Sequence, residues 1–72
     1  MNIKKIKIRD EEEYIRLDNL MKLSGCAQTG GHAKIVIQNG EVTVNGEICT
    51  MRGKKLRRGD IAEFEGSVFE VC

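Results

Sequence analysis

The spacing of the apolar residues changes near residue 40, and this change limits the folds that are open to the chain. Before it, two segments repeat apolar side chains at intervals of three and four, which is the spacing of one helical face. They are "YIRLDNLMKLSG" (14–25) and "TGGHAKIVIQNG" (29–40). From residue 41 onward apolar and polar residues alternate, as in β-strands. The sequence therefore predicts two helices followed by a run of strands.

Each predicted helix carries an apolar stripe and residues suited to its ends. The stripes consist of Leu17, Leu20 and Met21 in the first helix and of Ala33, Val36 and Ile37 in the second. Gly25 is expected to end the first helix in the left-handed conformation. Thr29 is expected to cap the second helix, and Asn39-Gly40 to stop it. The acidic run 10–13 precedes the first helix, where its charge would suit the positive end of the helix dipole.

Strands are predicted at both ends of the chain. "NIKKIKI" (2–8) is expected to form a short strand in which Ile6 and Ile8 share a face. A hairpin is expected around Glu65-Gly66, because this pairing separates apolar from acidic side chains. Ala62, Phe64, Phe69 and Val71 then lie on one face, and Glu63 and Glu70 lie on the other.

Another hairpin is expected around Asn45-Gly46, a pair that tolerates the positive φ angles of a type I′ turn. A strict two-residue turn pairs Val44 with Glu47 and Thr43 with Ile48. In that register the apolar residues do not all share one face. A bulge or a longer loop, which would shift the register, is the alternative.

The predicted order is therefore β-α-α-β-β-β-β, in one domain that spans residues 1–72. A chain of this length holds a single core. A sheet with one apolar face needs a cover, so we expect the two helices to pack on one face of a small, mostly antiparallel sheet. The predicted fold class is α+β.

The sequence offers little support for catalysis or metal binding. His32 is the only histidine, and neither serine lies in a nucleophile motif. We therefore predict no enzymatic activity, no cofactor and no small-molecule substrate. Cys26, Cys49 and Cys72 lack the spacing of a disulfide framework or a zinc site. The first two are predicted to be small buried hydrophobes, and Cys72 to be exposed.

The sequence also gives no sign of a membrane or secretory protein. No apolar run reaches the roughly 18 residues that a membrane span needs. The N-terminus becomes charged at once and lacks the apolar region of a secretory signal. We therefore expect a cytoplasmic protein that does not contact a membrane.

The segment "RGKKLRRGD" (52–60) concentrates positive charge in a chain whose net charge is only +1. Its cations are Arg52, Lys54, Lys55, Arg57 and Arg58. We call residues 52–58 the basic loop. Leu56 is expected to anchor it to the core, and "RRGD" to form a tight turn before the next strand. Several cations on one surface can hold the phosphates of a polyanion. A solvated turn is the simpler interpretation of the same residues.

The start of the second helix offers a weaker candidate for the same chemistry. Unpaired N–H groups and the helix dipole favour a phosphate at a helix N-terminus. Gly30 and Gly31 would let a ligand backbone approach, and His32 and Lys34 could add donors. A capped helix start explains this stretch equally well, with Thr29 as the cap.

The chain contains few aromatic residues, which bears on the class of nucleic acid. Tyr14, Phe64 and Phe69 are the full set, and the two phenylalanines fit the core. Shape and backbone recognition of a folded RNA is therefore favoured over base stacking along a single strand. Duplex DNA is a weaker candidate, because no helix carries the residues of a recognition helix. A protein-interaction adaptor that uses the same basic surface is the main alternative.

The ordered motifs resemble the S4-type RNA-binding domain over about residues 15–66. The pattern R-L-D-x-x-L, a glycine at the helix end, A-x-x-x-I, G-x-V-x-V-N-G and a later G-D are all present. The matching residues are Arg16, Leu17, Asp18, Leu20, Gly25, Ala33, Ile37, Gly40, Val42, Val44, Asn45, Gly46, Gly59 and Asp60. The resemblance implies an S4-like fold, also called the αL motif. The Gly30-Gly31 helix start and "RGKKLRRGD" resemble the stand-alone bacterial subgroup typified by YaaA and YbcJ.

One departure from the family pattern concerns the second helix. Many members begin it with Ser-Arg, and the arginine reaches RNA, whereas this chain has Thr29-Gly30. We expect the basic loop to supply the missing charge and to form one cationic surface with the helix start. The resemblance implies a structured RNA partner, either ribosomal RNA or a ribosome-assembly intermediate, bound by a monomer. Asn45-Gly46 is assigned to the turn and not to RNA. Arg16 and Asp18 are left open between an RNA contact and a structural role, either as a surface ion pair or as a contact at the helix end.

Overall fold

The computed structural model describes residues 3–72, which form two helices and seven short strands. The strands that precede the helices are β1 (Ile3–Ile6) and β2 (Ile15–Arg16), and the helices are α1 (Leu17–Leu23) and α2 (Gly30–Gln38). The later strands are β3 (Val42–Val44), β4 (Glu47–Ile48), β5 (Lys55–Leu56), β6 (Ile61–Phe64) and β7 (Ser67–Val71). Within this part of the chain, no helix is long and apolar enough to cross a membrane.

Five of the strands form one sheet in the order β1-β7-β6-β3-β4. The pair β1–β7 is parallel, and the other pairs are antiparallel. Ile6 and Ile8 are both buried, as their shared face predicts. Met1 and Asn2 lie outside the described residues, and Asn2 belongs to the expected first strand. The predicted α+β fold, with two helices packed on a small, mostly antiparallel sheet, is confirmed.

The two helices contribute their predicted stripes to the core. Leu17, Leu20 and Met21 of α1 and Ala33, Val36 and Ile37 of α2 are buried in one cluster with side chains of the sheet. Gly25 after α1 has a φ of 83° and Gly40 after α2 a φ of 77°, which are conformations that glycine adopts without a steric penalty. Thr29 caps α2, since its Oγ1 accepts a hydrogen bond from the His32 N–H at 3.1 Å. The predicted C-terminal ends of both helices and the predicted cap of α2 are therefore confirmed.

The start of the first helix differs from the prediction. Helix α1 begins at Leu17, because Ile15 and Arg16 instead pair with Leu56 and Lys55 in a two-stranded antiparallel ribbon. The side chains of Ile15 and Leu56 are buried on the inner side of this ribbon. The acidic run 10–13 is consequently separated from the helix by residues 14–16, and the acid in the first turn is Asp18. The run is thus not part of the first turn of α1, and its role at the helix dipole stays a prediction.

The hairpin at Asn45-Gly46 adopts the strict two-residue turn. Asn45 and Gly46 have φ angles of 51° and 85°. Val44 pairs with Glu47 and Thr43 with Ile48, so β3 and β4 pair without a bulge. Because side chains alternate along a strand, the buried Val44 and the outward Ile48 lie on different faces, and Ile48 is 70% exposed.

The hairpin around Glu65-Gly66 has the predicted register. Ala62 pairs with Phe69 across β6 and β7, and the faces are as expected, with Ala62, Phe64, Phe69 and Val71 buried.

Cys26 and Cys49 are half-buried and pack against the core rather than within it, which corrects their predicted burial. They lie in loops that border the core. Cys72 is exposed, and the three thiols are free.

Two family-motif residues, Asn45 and Asp60, join the first hairpin to the turn before β6. Asn45 Nδ2 donates to Asp60 Oδ1 at 3.2 Å, and Asn45 Oδ1 accepts from the Ile61 N–H at 3.0 Å. The other carboxylate oxygen of Asp60 accepts from the Arg57 N–H at 2.8 Å, and the Asp60 N–H donates to the Arg57 carbonyl at 2.9 Å. Asp60 thus closes the predicted "RRGD" turn and fixes the C-terminal end of the basic loop.

We expect Asn45 and Asp60 to stabilise the fold as a coupled pair. Asn45→Gly keeps the positive φ angle but removes both side-chain hydrogen bonds, and Asp60→Ala removes the carboxylate. Each change should lower the free energy of unfolding by about 1 kcal/mol. The double variant should lose less than the sum, because the two changes remove one shared interaction. Urea unfolding of the four proteins measures the coupling, and strictly additive losses would contradict it.

Candidate nucleic-acid interface

The basic loop presents its five cationic residues to solvent around one buried anchor. Arg52, Lys54, Lys55, Arg57 and Arg58 are all exposed. Leu56 lies between them and is fully buried in the core, as predicted. The anchor prevents the loop from moving away from the domain, so its positive charge stays at one place on the surface.

The first residues of α1 hold the N-terminal half of the basic loop. The Leu17 N–H donates to the Lys54 carbonyl at 2.9 Å, and the Asp18 N–H donates to the Arg52 carbonyl at 3.0 Å. A helix start leaves such N–H groups without partners inside the helix. The loop supplies the partners, and the β2–β5 ribbon continues the same contact. The loop backbone over residues 52–56 is therefore bound to β2 and to the start of α1.

Arg16 and Asp18 form an ion pair beside the loop. Arg16 Nη2 lies 3.2 Å from Asp18 Oδ2. Asp18 Oδ1 accepts a hydrogen bond from the Asn19 N–H at 2.8 Å. The Arg16 guanidinium also borders Gly53, since its Nη2 is 3.6 Å from the position that a Cβ of residue 53 would occupy. The structure thus shows the structural role, an ion pair at the helix start, and an RNA contact by Arg16 or Asp18 stays a prediction.

Two cations of the basic loop also contact other parts of the protein. The Lys55 ammonium lies 4.9 Å from the centroid of the Tyr14 ring, within the range of a cation–π interaction. Arg58 donates from Nη1 to the Glu12 carbonyl at 3.1 Å and from Nη2 to the Arg9 carbonyl at 2.9 Å. Arg58 thereby ties the turn at residues 9–12 to the loop. Its remaining N–H groups still face outward from a fork of five donors.

The other three cations have no such contacts. Among residues 3–72, no hydrogen bond or ion pair engages the side chains of Arg52, Lys54 and Arg57. A ligand anion would therefore not have to break an existing ion pair to reach them. These three side chains are the most available part of the basic loop.

The start of α2 is exposed but is not joined to the basic loop. Thr29 uses its hydroxyl oxygen for the cap, while His32 and Lys34 are exposed. No atom lies within 4 Å of a Cβ position at Gly30, so a ligand could approach the backbone there. Over residues 3–72, no hydrogen bond or ion pair links 29–34 to 52–58. That the two segments form one cationic surface stays a prediction.

Some residues that shape this interface were not recognised in the sequence. The β2–β5 ribbon, the Tyr14–Lys55 contact and the Arg58 bonds all join segments that are about 40 residues or more apart in the chain. Strands of two residues are too short to show alternation. The isolated apolar residues Ile15 and Leu56, each set among polar neighbours, were the only available signal. In the part of the chain that the structure describes, no cluster of His, Cys, Asp or Glu could hold a metal ion.

Two curated bacterial proteins resemble the chain over most of their length. The "Probable ribosome maturation protein RlbA" of Bacillus subtilis (strain 168) is 43% identical over 56 residues, which cover 78% of this chain and 79% of that protein. The "Putative RNA-binding protein YbcJ" of Escherichia coli (strain K12) is 34% identical over 58 residues, which cover 81% of this chain and 83% of YbcJ. The resemblance to the YbcJ-like subgroup is thus confirmed.

Comparison with solved structures and family models gives the same result. The solution structure of E. coli YbcJ, described as having an αL motif involved in RNA binding, superposes with a TM-score of 0.71 at 30% identity. The match covers 99% of this chain and 89% of the YbcJ chain. The model of the S4 domain family matches residues 6–72, which include both helices and the whole basic loop. The chain therefore belongs to the S4 domain family.

Proposed function

We propose that this protein binds a structured RNA, namely ribosomal RNA or a ribosome-assembly intermediate, by holding its phosphates with the basic loop. Arg52, Lys54 and Arg57 supply the principal contacts. Lys55 and Arg58 add charge while also holding the loop in place. The start of α2, with Thr29, Gly30, Gly31, His32 and Lys34, contributes a second and weaker contact to the same RNA.

The observation that carries this proposal is a set of exposed, unpartnered cations on a backbone that the fold holds in place. Arg52, Lys54 and Arg57 have no side-chain partner within residues 3–72. The carbonyls of Arg52 and Lys54 accept hydrogen bonds from α1, and Asp60 fixes Arg57 through its N–H. Because the backbone is ordered beforehand, phosphate binding costs mainly side-chain entropy.

The burial of the aromatic residues supports a structured RNA rather than a single strand. Phe64 and Phe69 are buried in the core. Tyr14 is partly exposed, but Lys55 lies over its ring. Within residues 3–72 no aromatic platform is left on which successive bases could stack, as single-strand binders require. The name of the B. subtilis relative, a probable ribosome maturation protein, supports ribosomal RNA as the target.

We further infer that the protein acts as a monomer, without catalysis and in the cytoplasm, where a ribosomal partner would be found. The five cations of the basic loop lie within seven consecutive residues, so the proposed contact needs no second copy. RNA binding alone accounts for the exposed residues of the loop. An equilibrium sedimentation mass of twice the chain would contradict the monomer.

The salt dependence of RNA binding should identify the phosphate contacts. In the variant Arg52→Gln, Lys54→Gln, Arg57→Gln, the association constant for a ribosomal RNA fragment should fall less steeply with salt than in wild type. The log–log slope should be less negative by about 2 to 3 units. The reason is that each lost phosphate contact removes roughly 0.7 to 0.9 counterions from the release. Fluorescence anisotropy across a salt series measures both slopes.

A matched control separates a local contact from the net charge. The variant Lys5→Gln, Lys7→Gln, Lys22→Gln makes the same change in charge at exposed positions outside the basic loop. It should keep most of the wild-type slope. Equal slopes in the two triple variants would contradict the phosphate contacts. If neither wild type nor control binds the RNA, a protein-docking surface becomes the better interpretation of the loop.

Neighbouring arginines should differ in their effect on stability. Arg58→Ala removes the bonds to the Arg9 and Glu12 carbonyls and should lower the free energy of unfolding by about 1 kcal/mol. Arg57→Ala removes the same charge but no side-chain contact, so its effect should stay below about 0.5 kcal/mol. Both should weaken RNA binding. Urea unfolding and anisotropy measure the two effects, and equal stability of the variants would contradict the structural role of Arg58.

A further inference from the structure

An apolar surface lies directly beside the basic loop. Ile48 is 70% exposed because the strict turn at Asn45-Gly46 directs it away from the core. Met51, which immediately precedes the basic loop, is 65% exposed. Other large apolar side chains are exposed as well, among them Leu23 and Ile35. Ile48 and Met51 differ because they line one pocket together with Lys54 of the basic loop, which suits a ligand with both an apolar and an anionic part.

Ile48 and Met51 line a groove between the first hairpin and the basic loop. Its volume is about 440 Å³, and its lining includes Asn45, Glu47, Ile48, Thr50, Met51 and Lys54. We call it the hairpin groove. The Lys54 N–H donates to the Met51 carbonyl at 3.1 Å, and the Cys49 thiol approaches the same carbonyl at 3.7 Å. These contacts hold the 49–54 turn, so the groove shares its wall with the proposed phosphate site.

The charges around the hairpin groove favour an uncharged ligand with hydrogen-bonding edges. Glu47 would repel a phosphate that entered the groove, whereas its carboxylate can accept a hydrogen bond from the amino group of a base. Thr50 adds a hydroxyl. Ile48 and Met51 offer apolar contact to a flat ring, and the thioether of methionine adapts to such surfaces. Lys54, which also lines the groove, suits the phosphate that is attached to the same nucleotide.

We propose that the hairpin groove holds one unpaired nucleobase of the RNA whose phosphates the basic loop binds. The inference rests on the proposed function and adds the feature of the RNA that is recognised. That feature is a duplex interrupted by an extruded base, since bases within a helical stack cannot reach a groove of this kind. A single base in an aliphatic groove needs no aromatic platform.

Two synthetic RNA hairpins test the proposal with the full chain. One carries a single bulged adenosine, and the other carries an abasic nucleotide at the same place, so that only the base differs. Wild type should bind the adenosine RNA more tightly, by roughly three- to tenfold, which corresponds to partial burial of two apolar side chains. The double variant Ile48→Thr, Met51→Gln should bind both RNAs with the weaker affinity and an unchanged salt slope.

The control is Ile35→Thr, a change at a residue on α2 that is 60% exposed and does not line the groove. It should keep the wild-type preference. Because all three substituted side chains are exposed, the variants should unfold at the wild-type urea midpoint. A second measurement needs no variant: 2-aminopurine in place of the bulged adenosine should increase in fluorescence on binding, as the base leaves its stack.

The outcomes distinguish this inference from the proposed function. Equal affinity of wild type for the two RNAs, or a preference that survives in Ile48→Thr, Met51→Gln, would overturn the base site. If the loop-dependent salt slope persists in that case, the phosphate contacts stand and the groove serves another ligand. If substitutions in the basic loop also leave the salt slope unchanged, both proposals are contradicted.

Discussion

The candidate interface depends on the hydrogen bonds between the start of α1 and the carbonyls of the basic loop. The N–H groups of Leu17 and Asp18 need partners outside the helix, and residues 52 and 54 provide them. Leu56 then fills the core beneath the same contact. A segment with five cations would otherwise repel itself and extend into solvent. The N-terminal end of α1 therefore orders a loop that charge repulsion alone would leave extended.

The family motif divides into residues that build this support and residues that form the surface. Asn45 and Asp60 bond to each other and close the turns at 45–46 and 57–60. Asp18 holds Arg16 at the helix start. The side chains of these polar residues make hydrogen bonds or ion pairs within the protein. The cations without partners, Arg52, Lys54 and Arg57, lie outside the general S4 pattern, in the segment "RGKKLRRGD" on which the resemblance to the YbcJ-like subgroup rests. Membership of the S4 domain family thus explains the scaffold, whereas the proposed RNA contacts rest on the basic loop of this chain.

Periodic segments were predictable, and contacts between distant segments were not. Both helices, the two hairpins and most of the core followed from the spacing of apolar residues and from the Asn-Gly and Glu-Gly turns. The position of Ile15 did not follow, because its burial fits a helix or a strand until Leu56 is placed beside it. In the candidate site, the exposure of the cations and the anchoring by Leu56 were predictable. The hydrogen bonds from Arg58 to the carbonyls of residues 9 and 12 were not predictable.

The sequence by itself determined the local elements, the fold class and the concentration of charge in residues 52–58. These depend on side-chain periodicity, on turn residues with positive φ angles and on composition, all of which act over a few neighbouring residues. Tertiary structure alone decided which cations stay free, where α1 begins and which way Ile48 points. The first two features depend on backbone partners that exist only when segments some 40 residues apart in the chain are brought into contact. The direction of Ile48 depends on the register of the first hairpin, for which the sequence left two alternatives.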